Sequence, residues 1–234
     1  MKPKKKPSDL NTLLTPPFAA LFDWDGVVVD SSHQHERSWE LLAREIDKPL
    51  PPDHFKRGFG KRNAVIIPDI LDWTRDPQEI ENLGHRKEAL YRELVEADGL
   101  ASLAGVRELL AELRQARVPC VVGTSTEREN LCMAFDLLDL GEFFQGTVTS
   151  EDVTQGKPHP EVFLRAADLA GLPPENCVVL EDSVHGIEAA RAGGMKALGL
   201  ATTRPKEHLS EAGAHLVLPS PDQLSLATLA TLWE

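Results

Sequence analysis

Six short apolar runs set the strongest constraint on how this chain folds: Phe18 to Phe22, Val118 to Gly123, Gly146 to Thr149, Cys177 to Leu180, Met195 to Leu200 and Leu216 to Leu218. Helical patterns separate most of them. Val106, Leu109, Leu110 and Leu113 fall at i, i+3, i+4 and i+7 and form one apolar stripe. Pro160 reads as a first helical residue with Val162, Phe163, Ala166 and Leu169 behind it, and Ser183 opens a further helix that Gly193-Gly194 ends. Short strands alternating with helices predict an α/β fold, a Rossmann-like parallel sheet with helices on both faces.

The stretch from His33 to Gly99 breaks that rhythm. It holds no convincing strand and several helical patterns: Trp39, Leu42 and Ile46 make one stripe, and Leu90 and Leu94 part of another. Pro49, Pro51 and Pro52 punctuate one connection and Asp76-Pro77 a later one. The expected organisation is an α/β core over 18–32 and 100–234, with an all-helical insert over 33–99. Residues 1–17 carry four lysines and four prolines without an apolar core region, which reads as a solvated basic tail rather than a secretory signal.

The chain has 234 residues and a net charge of −12, which argues against a general nucleic-acid or anionic-membrane surface. An anionic substrate would then need a local positive site. Three widely spaced cysteines, Cys120, Cys132 and Cys177, fit a reducing, cytoplasmic setting and no zinc pattern. No run approaches the roughly 20 apolar residues that span a bilayer, and nothing in the pattern demands more than a monomer.

Ligands of open parallel sheets bind beyond the carboxyl ends of the strands. After the first run come Asp23 and Asp25, two acids whose i, i+2 spacing turns both toward one side. After the second come Thr124, Ser125 and Thr126, and after the fourth Glu181, Asp182 and Ser183. Lys157 lies in a Gly-Lys-Pro loop that leads into a helix. Asp23, Asp25 and Asp182 offer hard oxygen ligands that suit Mg²⁺. Thr124 can hydrogen-bond a phosphate oxygen, and Lys157 can neutralise charge on a nucleophile and a phosphoryl group. Each motif alone also suits a solvated turn, a helix cap or a loop. All four, in order and each at a strand end, point to phosphoryl chemistry.

With these motifs, Asp23-Trp24-Asp25-Gly26, Thr124, Lys157-Pro158 and Glu181-Asp182-Ser183 with Gly186, the chain resembles the haloacid dehalogenase superfamily in its phosphatase and phosphomutase branch. The helical insert matches the position of the family's cap. The resemblance implies that Asp23 is a nucleophile forming an aspartyl-phosphate and that Asp25 is the general acid and base. It implies that Thr124 and Lys157 hold the transferring phosphoryl group. Mg²⁺ would be held by Asp23, Asp182, the backbone carbonyl of Asp25, and Glu181 directly or through water. Asp25 sets this pattern apart from dehalogenases and from phosphonatases, which carry alanine there and need a cap lysine.

The cap also resembles that of β-phosphoglucomutase and related sugar-phosphate phosphatases. His35 and Trp39 match a recurring cap-helix pattern and equally suit packing of that helix. Gly60-Lys61-Arg62-Asn63 matches a specificity loop. Mutases place an arginine where Asn63 falls, with Arg62 one residue away, and the run Glu127-Arg128-Glu129 is more acidic than a mutase pattern. The expectation is a Mg²⁺-dependent phosphomonoesterase for small phosphorylated metabolites, sugar or polyol phosphates, with Ser125, His35 and Arg62 as substrate contacts. A phosphomutase, a phosphonatase-like hydrolase and a non-catalytic phosphate-binding module are the alternatives.

Overall fold

The computed structural model describes residues 17–234; the expected basic tail lies, up to residue 16, outside them. Six parallel strands form one sheet in the order β5-β4-β1-β6-β7-β8: β1 (Ala19–Phe22), β4 (Cys120–Gly123), β5 (Gly146–Val148), β6 (Cys177–Glu181), β7 (Lys196–Leu200) and β8 (Leu216–Leu218). Each of the six apolar runs is a strand. β1 pairs with β4 on one side (Phe22 opposite Val122) and with β6 on the other (Phe22 opposite Leu180). Adjacent strands lie about 4.8 Å apart, so the carboxyl ends of β4, β1 and β6 fall within roughly 10 Å. The chain order reverses direction across the sheet at β1, where open α/β sheets bind ligands.

Side-chain alternation divides the core into two layers. Ala20, Phe22, Val122, Val178 and Leu180 pack on one face, against Leu109, Leu110 and Leu113 of α5 (Val106–Gln115) and Leu131 and Ala134 of α6 (Arg128–Leu138). Ala19, Leu21, Val121 and Val179 pack on the other, against Val162, Phe163 and Ala166 of α7 (Glu161–Ala170) and Ile187 and Ala190 of α8 (Val184–Ala192). Burial on both faces is why these strands read as unbroken apolar runs. The last helices, α9 (Lys206–Glu211) and α10 (Leu226–Ala230), each bury leucine against the sheet layers.

The insert between β1 and β4 is helical: α1 (Ser32–Glu45), α2 (His54–Gly58), the short α3 (Asn63–Val65) running into a π-helical turn over Ile66–Ile70, and α4 (Pro77–Asp98). Trp39, Leu42, Ile66, Ile67, Leu71, Trp73 and Leu90 form its own core. The Asp76-Pro77 pair ends the connection over 71–76 and starts the 22-residue α4, with Asp76 accepting a hydrogen bond from the Glu79 backbone N–H at 2.9 Å and Pro77 in the first turn. Val95 buries behind Leu90, while Leu94 is only half covered.

The chain leaves and re-enters the core through a two-stranded antiparallel ribbon, β2 (Val29–Asp30) and β3 (Ala101–Ser102). Two-residue strands carry no readable periodicity, so no residue pattern marks this junction.

Replacing Leu110, fully buried in α5, with alanine is expected to cost about 2–5 kcal/mol of stability. Leu137→Ala, at a position 53% exposed, should change stability by less than about 0.5 kcal/mol. Urea unfolding of both variants checks the layer assignment; equal losses would contradict it.

Candidate active site

β1 stops at Phe22, and the turn that follows presents its two acids to one edge of the sheet. Trp24 between them points the other way. It is buried against Phe135, ring centroids 5.1 Å apart and edge to face, which fixes the turn from below. Gly26 closes the turn at φ +79°, and a Cβ there would lie 2.4 Å from an Asp182 carboxylate oxygen. Only glycine fits this position, for its backbone conformation and for the space.

Asp23 is buried, 5% exposed, with Lys157 Nζ 2.8 Å from its Oδ1. The same ammonium lies 2.6 Å from Glu181 Oε1 and sits over the Phe163 ring at 4.8 Å. The other Glu181 oxygen accepts from the Ser183 backbone N–H (2.8 Å) and hydroxyl (2.9 Å). Ser183 also caps α8 by accepting from the Gly186 N–H at 3.1 Å. A Cβ on Gly186 would fall 1.7 Å from Glu181, so the helix start is built around that carboxylate. Asp182 accepts a hydrogen bond from the Thr203 hydroxyl, a residue just past β7 that the strand-end reading passed over.

Carboxylate oxygens of Asp23, Glu181 and Asp182 all lie within 4.8 Å of one another, and all three residues are buried. Burial pushes Asp23 up to about 7; Lys157 lowers it, while Glu181 and Asp25 raise it further. Burial, then Glu181 and Asp23, hold Asp182 well above the carboxylate range. Burial works against a charged Lys157, but Asp23 and Glu181 outweigh it and keep the ammonium protonated. Three carboxylates facing one ammonium leave negative charge that no other cation among the described residues pairs with. A hard divalent cation would supply the missing charge, and carboxylate oxygens are the donors it takes.

Asp25 has a different surrounding. Its carboxylate accepts from Ser31 Oγ (2.5 Å), from the Thr126 hydroxyl and from His35 Nε2 (3.3 Å). Lys87 Nζ contacts His35 Nδ1 at 2.7 Å. An ammonium can only donate, so Nδ1 accepts and the imidazole proton sits on Nε2, aimed at Asp25. Tyr91 stacks on that ring at 4.1 Å. Burial alone would raise the Asp25 pKa; His35, Ser31 and Thr126 outweigh it and hold the carboxyl well below its usual range. Thr124, 2% exposed, donates to Thr126 Oγ1 at 3.0 Å, so the hydroxyl cluster reaches Asp25 through Thr126.

A cavity of about 500 Å³ lies between insert and core, with Asp25, His35, Ser125 and Arg62 on its walls. Arg62 does not offer its guanidinium freely: Nη2 donates to the Ser150 carbonyl at 2.8 Å and Nη1 to that of Thr154 at 3.4 Å. His35 serves Asp25 as well as the cavity. Lys61 meets His185 of α8 at 2.5 Å across the same gap, so His185 is a contact between insert and core. Glu88, 5% exposed, accepts from Lys87 (2.9 Å), Asn63 (2.7 Å) and, across the gap, from Asn130 of α6 (2.7 Å).

Ser31, Thr126, Lys87 and Glu88 are the polar residues that sequence spacing did not single out as site residues. Thr126 was within reach, because it belongs to the Thr-Ser-Thr run. Lys87 sits 52 positions from His35 and Glu88 42 from Asn130, and only the fold unites them.

The raised carboxyls make a pH prediction with a definite sign. Folding raises Asp23 to about 7, so between the ordinary carboxyl range and that value the folded chain binds more protons than the unfolded one. Stability from these groups therefore falls as pH rises. A divalent ion binds the deprotonated oxygens and removes the penalty. At roughly 100 times its dissociation constant, Mg²⁺ should raise Tm by about 5–10 °C near pH 7.5 and distinctly less near pH 5. Thermal melts with EDTA and with Mg²⁺ at the two pH values check this; an equal or larger gain at low pH would contradict it.

The family model described as haloacid dehalogenase-like hydrolase matches residues 19–194. The chain is 35% identical, over 91% of its length, to 5-amino-6-(5-phospho-D-ribitylamino)uracil phosphatase of Arabidopsis thaliana, and spans 57% of that relative's length. It is 29% identical to a phosphorylated carbohydrates phosphatase of Thermotoga maritima, over 88% of this chain and 95% of the relative. A β-phosphoglucomutase from Clostridium difficile shares its fold with a TM-score of 0.81 at 22% identity, over 93% of this chain and 97% of that one. The four motifs, the parallel sheet with its helical insert and the family match converge: the chain belongs to the haloacid dehalogenase-like hydrolases, in their β-phosphoglucomutase-like branch.

Proposed function

We propose that this protein is a Mg²⁺-dependent phosphomonoesterase for small phosphorylated sugars or polyols, working through an aspartyl-phosphate on Asp23. The observation that carries the reading is the pairing of Lys157 with Asp23 at 2.8 Å beside two further buried carboxylates, while Asp25 is held apart by its own donors. Two acids one residue apart thus have different surroundings, which is how a site divides nucleophile from proton carrier.

An Asp23 oxygen attacks phosphorus and the bond from phosphorus to the leaving oxygen breaks. Asp25 gives that oxygen its proton. Asp25 must be protonated to do this, and the negative charge of an arriving phosphate raises its proton affinity against the three donors that otherwise keep it ionised. In the second half Asp25 takes a proton from water, the water oxygen bonds phosphorus, and the bond from phosphorus to Asp23 breaks. Lys157 offsets charge on Asp23 and on the transferred oxygens, and Thr124 donates to one of them. A bound Mg²⁺ would add Lewis-acid stabilisation of those oxygens. Asp23, Asp182 and the Asp25 carbonyl would hold it. Both Glu181 oxygens are engaged by Lys157 and Ser183, which favours its acting through water.

The relatives named for phosphatase action on a phosphoribityl compound and on phosphorylated carbohydrates support the substrate class. A mutase reading needs a free cation for a second phosphate, and the Arg62 guanidinium is already bound to two core carbonyls.

Asp23→Asn should cut turnover of p-nitrophenyl phosphate by at least about four orders of magnitude. Asp25→Asn should lose about 10²–10⁴-fold on an alkyl phosphate and less on p-nitrophenyl phosphate, whose leaving group departs without a proton. Steady-state kinetics in Mg²⁺ check both, and near-normal turnover by Asp23→Asn would refute the mechanism. Glucose 6-phosphate should release one free phosphate per turnover; phosphate retained on the sugar after priming with glucose 1,6-bisphosphate would indicate the mutase instead.

A further inference from the structure

Among the carboxylates that line the cavity, one is left without a partner. Asp25, Glu81, Glu88 and Glu151 all accept hydrogen bonds. The Glu127 carboxylate makes neither a hydrogen bond nor an ion pair among the described residues; only its backbone carbonyl accepts, from the Leu131 N–H. It occupies the N-cap position of α6, yet its side chain does not cap the helix. It follows directly after Thr126, which touches Asp25, so it stands one residue beyond the group that would meet the leaving oxygen.

The charges around it do not neutralise it. Glu88 and Glu151 face it from α4 and from the loop after β5, and Lys87 and Arg92 face it from α4. Both cations are already engaged, Lys87 by His35 and Glu88, and Arg92 by Asn130 and Glu129. The other cavity-lining cations are engaged too, Lys61 by His185 and Arg62 by two core carbonyls. Half burial, with Glu88 and Glu151 adding to it, pushes Glu127 up to about 7. The group therefore gains from any donor brought to it and loses from any further anion.

We propose that Glu127 is the residue that selects the leaving group, ranking amine-bearing phosphate monoesters above their hydroxyl counterparts and both above bisphosphates. This rests on the phosphomonoesterase reading and adds the chemistry of the group being released. An ammonium answers the unpartnered carboxylate with a charge-assisted hydrogen bond; a hydroxyl answers it with an ordinary one. A second phosphate meets a wall of carboxylates with no free cation among the described residues that line it.

Inhibition of p-nitrophenyl phosphate hydrolysis by three related hexose phosphates reads the ranking without needing them to turn over. Glucosamine 6-phosphate should compete about tenfold more strongly than glucose 6-phosphate, and glucose 1,6-bisphosphate about tenfold less. Glu127→Gln should bring the amine preference down to about twofold or less, and Glu127→Lys should place the bisphosphate first. A melting curve for each variant reports folding, and the wild-type order needs no variant. A wild-type preference for the bisphosphate, ratios unchanged in both variants, or no competition by any of the three would overturn the assignment. Wild-type turnover of p-nitrophenyl phosphate, which carries nothing to reach Glu127, tests the phosphatase reading separately. Its absence would sink that reading, and its presence with flat ratios only the role of Glu127.

Discussion

The ion pair of Lys157 with Asp23 and Glu181 is the interaction on which the rest of the site depends. Three carboxylates are packed at the ends of β1 and β6 with almost no solvent. Without the ammonium they would repel one another in a medium that screens little, and an uncompensated buried charge costs about 3–5 kcal/mol. Lys157 reaches them from the loop before α7, with its charge over the Phe163 ring. It leaves the negative excess incomplete, and that residue of charge makes the cluster fit for a divalent cation and for a phosphoryl group between cation and lysine.

The parallel sheet supplies the geometry this requires. β1 lies between β4 and β6, so Asp23, Thr124 and Glu181 arrive at adjacent strand ends although they are far apart in the chain. The insert then adds what the sheet lacks. Lys87 sets the tautomer of His35, His35 holds Asp25, and Glu88 ties α4 to Asn130 on the core. The seating of the insert on the core and the surroundings of Asp25 are thereby tied together. Under the proposed mechanism, an insert so seated would also keep water from the first half-reaction.

Much of this was legible in the sequence, for physical reasons that can be named. Doubly buried strands must be apolar throughout, so the six runs declared themselves, and the polar residues ending them marked the site edge. Asp23 and Asp25 could be read as a pair because the strand period is two. Lys87 could not be read, because helix α4 brings it to His35 only after the insert has folded. Asp76-Pro77 marked a connection, as the sequence reading had it, but that the pair also caps and opens α4 shows only once the helix follows. Arg62 was read by chain position as a substrate contact; its guanidinium direction, set by the Ser150 and Thr154 carbonyls, depends on how the insert seats on the core.

The proposed mechanism requires that Asp23 carry the phosphoryl group during turnover. The most direct measurement is acid quenching of the enzyme during turnover of p-nitrophenyl phosphate in Mg²⁺, followed by peptide mass spectrometry. A phosphoryl adduct should appear on the peptide containing Asp23, released by hydroxylamine as an acyl phosphate would be. An adduct on Thr124 or on a histidine, or a burst of p-nitrophenol with no adduct on Asp23, would contradict it.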